Sequence, residues 1–196
     1  MEKINFIKTF IPQGDFREKY EHGGMMVRHL AAVLDEKMGA YECYECTVPI
    51  GEYDEGEIRK AFVEFTAKMD ALKLEQAKAD KIAEISAYDT SSSVNGFMLN
   101  GLLVWLDKAT RVGLMNSTTI AKAAGQKTTT LWLGGIKLVV DCDKAIQLLS
   151  ALEMYALECF NVTASHKQAV SELTTIEEVE AYDYKAGYPK MLDMSV

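Results

Sequence analysis

This chain is poor in the residues that carry most enzyme chemistry. Its 196 residues include only 3 His, 3 Pro and 2 Trp. The histidines are His22, His29 and His166, and none lies three to five residues from another. A surplus of basic charge is also missing: 21 Lys and Arg stand against 29 Asp and Glu, for a net charge of −8. A protein that reads a phosphate backbone needs clustered cations to displace counterions, so no nucleic-acid partner is expected. No apolar run approaches the ~20 residues that span a bilayer, which argues against membrane insertion. The start, MEKINFIKTFIPQGDF, lacks the charged-then-apolar pattern of a secretory signal. The phosphate-binding and nucleophile-elbow glycine motifs do not occur. Ser91-Ser92-Ser93 has no local His or Lys to act as a base. With no visible set of nucleophile, base and orienting group, no catalytic residue, cofactor or enzymatic activity is expected.

The four cysteines are Cys43, Cys46, Cys142 and Cys159. Free thiols in a reducing cytosol are the expectation for a chain of this kind. Cys43 and Cys46 form a single C-x-x-C in AYECYECTV, with no second pair to complete a zinc site. The near-alternation of aromatic and polar residues there reads as a strand, on which positions three apart face opposite sides. No metal site is expected, and no helix start follows the pair to activate a thiol. His166 lies on an apolar helical stripe and reads as a hydrogen-bonded core or interface histidine. Asp141 and Asp143 do not continue into a calcium loop, and helix capping explains both. The sequons at Asn116 and Asn161 fall inside predicted helices of a cytosolic-looking chain and are set aside.

What is present is an ordinary globular composition, 48% apolar and 26% charged. A chain this long can bury roughly 70% of its unfolded surface. Residues 1–50 hold Pro12, Gly14, Gly23, Gly24, Gly39 and Pro49. They read as strands near 4–11 and 41–48, with a strand or short helix across 25–36. Between Gly56 and Gly96 there is neither Gly nor Pro. Ile58, Phe62, Phe65, Met69 and Leu72, followed by Gln76, Ala79 and Ala83, recur at alternating steps of four and three, a heptad seam. One helix from about 55 to 87 follows, roughly 48 Å long, which protrudes, meets other subunits, or lies as an amphipathic helix on its own domain.

Two apolar runs, Val94–Leu99 and Leu102–Leu106, flank Asn100-Gly101, a strong type I′ hairpin signal. Asp107 reads as the cap of a helix that stops at Gly125. The pattern recurs: Thr129–Leu133 and Ile136–Val140 flank Gly134-Gly135, and Asp141 caps another helix. Asp107-Lys108-Ala109 and Asp143-Lys144-Ala145 mark a weak strand–strand–helix repeat, whose four strands suffice for one stable sheet. The helix from Asp143 to about Leu173 has a broad apolar stripe and a break expected near Asn161. Thr175-Ile176-Glu177-Glu178 is a capping box opening a helix to about Ala181. The tail then places Tyr182, Tyr184 and Tyr188 together, which suits a docking strap.

The segments FREKYEHGG, AYECYECTV, AYDTSSSVNGFMLNG, WLDKATRVGL, TTLWLGG, LEMYALECFNVTASHK and LTTIEEVEAYDYKAGYP together resemble phage and prophage proteins carrying domain of unknown function 4376. The likeness is to versions from gut Bacteroides-type bacteria. It runs from about Phe16 to Pro189 and is most specific between Ala87 and Tyr188. It implies a place in phage tail and tail-fibre gene neighbourhoods, and implies no reaction.

The expected fold is α+β: a small antiparallel sheet of two β-hairpins packed by helices, one long helix, and a β-rich N-terminal module. The expected divisions are 1–50 for that module, 55–87 for the helix, 88–182 for the core domain and 183–196 for the tail. The expected function is non-enzymatic, a phage virion or tail-associated structural or assembly protein working through protein–protein contacts. Its partners are other virion proteins or itself, in the virion or the bacterial host cytoplasm. The alternative is a prophage-encoded protein that captures a host protein or small ligand. Candidate interface residues are Phe62, Phe65, Met69, Leu72, Tyr182, Tyr184 and Tyr188.

Overall fold

The structure is a computed structural model that describes residues 4–11, 20–22, 25–35 and 40–195, with side chains described at 4–8 and 44–195. The chain divides into two compact units, Met1–Lys73 and Leu74–Val196. The fold is α+β.

The first unit holds a four-stranded antiparallel sheet. Its strands are β1 (Phe6–Ile11), β2 (Tyr20–His22), β3 (Met25–Asp35) and β4 (Ala40–Pro49), in the order β1-β4-β3-β2. The segment left open between strand and helix is therefore the strand β3, which carries a bulge between Ala31 and Val33. On β4 the burial period is two: Tyr44, Cys46 and Val48 are buried. The first half of helix α1 (Glu55–Asp89) covers that face. Ile58 is buried beside Cys46 and Val48. Phe65 stacks against Phe6 and Tyr44, with ring centroids 5.1 Å from each. Phe62 lies 5.6 Å from Phe6 and 5.9 Å from Tyr44. Asp54 caps α1: it accepts from the Glu57 amide at 2.8 Å while Glu57 Oε2 accepts from the Asp54 amide at 2.9 Å, a reciprocal pair of the capping-box kind. Cys43, of the C-x-x-C, lies where side chains are outside the described set.

The second unit begins with the remainder of α1. Here the buried positions leave the heptad seam. Leu72, at the end of the first unit, is already 54% exposed, and Gln76, Ala79 and Ala83 are exposed. Leu74, Ala77 and Ile82 instead pack on a cluster formed by Ile85, Val170 and Val179. After α1 come α2 (Ser92–Asn95), β5 (Gly96–Leu99), β6 (Leu102–Trp105) and α3 (Lys108–Ala123). They are followed by β7 (Thr128–Leu133), β8 (Ile136–Asp141), α4 (Cys142–Glu172), α5 (Ile176–Ala181) and β9 (Asp193–Met194).

Both hairpins form as the turn chemistry requires. Asn100 and Gly101 sit at φ +50° and +79°, and Gly134 and Gly135 at +57° and +88°. They do not join into one sheet. β5–β6 takes β9 as a third strand, in the order β6-β5-β9, while β7–β8 remains a separate two-stranded sheet. β9 runs parallel to β5, with amides of Met98 and Asn100 donating to carbonyls of Leu192 and Met194 at 2.8 and 2.9 Å. The inner faces of both sheets meet α4. Phe97, Leu99, Val104, Leu131, Leu133 and Val140 share one core with Leu149, Leu152 and Tyr155.

Three further expectations shift. Val94 belongs to α2, capped by Ser91, and not to the strand. α4 runs unbroken through Asn161 for 31 residues. The structural repeat aligns Asp107 with Asp141, both N-caps. The second Asp-Lys-Ala therefore lies inside the first turn of α4, two residues past the equivalent position.

Candidate functional site

The second unit carries a cleft of about 410 Å³ where β6 hands over to α3. Its apolar wall is Trp105, Leu106, Ala156, Leu157 and Phe160. The geometry follows from local sequence. Asp107 ends β6 by capping α3, accepting from the Thr110 amide at 2.8 Å and the Thr110 hydroxyl at 2.6 Å. These bonds hold its carboxyl below the ordinary carboxylate range. One turn on, Arg111 points back under the strand end. It is 8% exposed and donates through Nη1 to the Leu106 carbonyl at 2.8 Å. Its Nε donates to Glu153 Oε1 on α4 at 2.9 Å. A buried guanidinium needs such a partner, since an unpaired charge there is costly. The pair neutralises itself and ties α3 to α4.

Opposite, Asn95 closes α2. Its Nδ2 donates to the Asp89 carbonyl at 2.6 Å. That bond fixes the amide orientation and leaves Oδ1 buried without a partner. The Asp89 carboxylate accepts from Thr163 Oγ1 at 2.8 Å, and Thr163 in turn is 2.9 Å from the Tyr188 hydroxyl. Deeper in the core, Tyr155 donates to the Val94 carbonyl at 2.7 Å, and burial pushes its hydroxyl well above the usual range. Burial likewise raises the Cys159 thiol, which keeps it protonated and poorly nucleophilic. The cleft can therefore seat an apolar group against Trp105, Leu157 and Phe160.

The structure separates the seven candidate interface residues into two groups. Phe62 and Phe65 are half-buried in the first unit, Met69 is half-buried, and Leu72 is exposed. The tyrosines strap the second unit. Tyr182 reaches His166 Nδ1 at 2.8 Å, while His166 Nε2 lies 2.9 Å from the Ala186 carbonyl. Tyr184 and Tyr188 set their rings edge-on to Tyr88 at 5.6 and 5.7 Å. The strap thus docks on its own unit and leads the chain to β9. Lys78 and Lys81 anchor the same region by donating to the Ser171 and Glu180 carbonyls near the ends of α4 and α5, where cations are favoured.

Sequence reasoning did not single out Trp105, Asn95, Arg111 or Leu157, and it reads Phe160 only as widening the apolar stripe of α4. One signal was available. The stripe of α4 is wider than its core contact needs, and the surplus, Met154, Leu157 and Phe160, is 59%, 50% and 59% exposed.

These features define an α+β protein of two units, the second built from paired hairpins, long helices and a tyrosine strap. Residues 76–186, over half of the chain, match the family described as domain of unknown function DUF4376, and the chain belongs to that family. The match begins two residues inside the second unit and ends within the strap. No curated protein and no solved structure matches the chain.

Proposed function

We propose that this chain is a non-enzymatic structural or assembly protein of a phage or prophage, associated with the virion or its tail, that works through protein–protein contacts. The observation that carries the reading is the exposed apolar wall of the cleft: Trp105 at 40%, Leu157 at 50% and Phe160 at 59%. Large apolar and aromatic side chains gathered at one surface mark a protein-binding site. Of the charged groups that line the cleft, Arg111 and Glu153 pair with each other, and Asp89 and Asp107 accept from Thr163 and Thr110. Resemblance to proteins of tail gene neighbourhoods supports the virion as the setting, reached from the host cytoplasm.

Mass spectrometry of purified particles tests this. The expected result is the protein at a fixed copy number per particle, reduced at least tenfold by Trp105→Lys with Phe160→Glu. Particles that lack the protein would favour the second reading, a prophage-encoded protein that captures a host protein or small ligand. The volume of the cleft, about 410 Å³, speaks for that reading, since it is the size that seats a small organic group.

A further inference from the structure

We propose that β6 pairs with β6 of a second copy of this chain, antiparallel and two-fold symmetric about Val104. This rests on reading the Trp105 surface as protein-binding, and it names the partner there. In an antiparallel pair, alternate residues aim both N–H and C=O at the neighbouring strand. A two-residue turn closes on a hydrogen-bonded pair, here Leu99 with Leu102. Phe97 with Val104 is then the next such pair. The other side of β5 agrees, because Met98 and Asn100 donate to the β9 segment. Leu103 and Trp105 must therefore aim their N–H and C=O groups away from β5. β6 is the outer strand of its sheet, and no described residue takes those groups.

Such edges are a hazard that proteins blunt with lysine, proline or a bulge. β6 has none: its sequence is Leu-Leu-Val-Trp and its register with β5 is regular. By contrast, the exposed Trp132 of β7 has Lys137 Nζ over its ring at 6.0 Å. On β6, Leu102 and Leu103 are 58% and 57% exposed, and Trp105 is 40% exposed.

The edge is self-complementary. With Val104 opposite its own copy, Leu103 faces Trp105 of the second chain and Trp105 faces Leu103. Both are outward-aimed positions, so each meeting exchanges two N–H···O bonds, four in all. Leu103 and Trp105 also share a sheet face, which sets a leucine against an indole ring at each meeting, a favourable cross-strand pair. At the flanks, Asp107 comes opposite Gly101 and Lys108 opposite Asn100, so no like charges face each other. The two three-stranded sheets become one of six. Each chain carries a charge of −8, so added salt tightens the pair by screening.

Sedimentation equilibrium of the full chain over a micromolar-to-millimolar series tests this, with hydrogen exchange read at the Leu103 and Trp105 amides. The expected result is a monomer–dimer equilibrium in which both amides become protected as the dimer fills. Leu103→Pro removes one outward donor without removing a bond to β5, and Trp105→Lys adds like charges to the edge. Each is expected to weaken the dimer at least tenfold, and the retained far-ultraviolet dichroism of Trp105→Lys shows that the monomer still folds. A chain that stays monomeric with both amides exchanging freely overturns the proposal. So does a dimer indifferent to both variants. Particles that incorporate a strictly monomeric protein through the Trp105 surface overturn the self-pairing alone and leave the structural role standing.

Discussion

The second unit contains the same local device twice. β5–β6–α3 and β7–β8–α4 each have a two-residue turn with positive φ at both positions and an aspartate that caps the following helix. Their fates differ. α4 buries nine residues along 31, whereas α3 fully buries only Arg111 and Thr118. The second repeat buries more of its helix, yet it leaves Trp132 and Val139 exposed on its strands and Met154, Leu157 and Phe160 exposed on α4. The first buries Phe97, Leu99 and Val104, then leaves Leu102, Leu103 and Trp105 exposed. Turn and cap chemistry writes the unit, and the face left apolar decides its use. By that logic the first repeat presents the open strand edge, while α4 of the second supplies both the core and, through Leu157 and Phe160, one wall of the cleft.

The largest expected effects test which repeat centres the core. Phe97 is fully buried on the middle strand of its sheet, and Leu131 is 1% exposed on a two-stranded one. Phe97→Ala is expected to cost about 3–5 kcal/mol and Leu131→Ala about 2–5 kcal/mol, the phenylalanine losing more apolar surface. Urea denaturation gives both values. A Leu131→Ala loss larger than that of Phe97→Ala would put the centre of the core in the second repeat.

The turns give a smaller contrast. A Cβ added at Gly101 meets open space, whereas one at Gly134 comes 3.0 Å from Val104 Cγ1. Both glycines hold positive φ, so each alanine variant carries left-handed strain of about 1 kcal/mol. Gly134→Ala adds a contact on the first repeat and is expected to cost about twice as much in thermal melts. Equal losses would mean that the two hairpins are not coupled through Val104.

These devices were readable in the sequence because each is local. Asn100-Gly101, Gly134-Gly135, Asp107, Asp141 and the Thr175–Glu178 capping box act within four residues. What escaped depends on distant partners. β9 is two residues held to β5 by main-chain bonds, which leave no mark in side-chain pattern. α1 is apolar enough in two registers that periodicity chose Gln76, Ala79 and Ala83, while packing uses Leu74, Ala77 and Ile82. Val94 sits in an apolar run that reads as strand until Ser91 caps it into α2. The cleft was the least legible part. Arg111 and Glu153 lie 42 residues apart, and the orphaned acceptor of Asn95 exists only once Asp89 has taken its amide.

The smallest expected effect concerns the caps, and its sign follows from linkage. Asp107 is exposed at the cleft rim, and its carboxyl is held below its ordinary 3.8, chiefly by the Thr110 hydroxyl. A carboxylate depressed in the folded state contributes stability that is fully present above its unfolded value. The contribution is lost as pH falls through the lowered folded value. Asp107→Asn keeps an N-cap acceptor but removes the titration. At neutral pH the parent is therefore expected to melt slightly above Asp107→Asn, and the gap is expected to close below pH 3.8. Thr110→Val removes the 2.6 Å hydroxyl bond and is expected to move the Asp107 titration upward, read by carbon-13 NMR of its carboxyl. A gap that persists unchanged through strong acid, or a titration indifferent to Thr110→Val, would mean that the first repeat is capped by geometry alone and that charge plays no part at the mouth of the cleft.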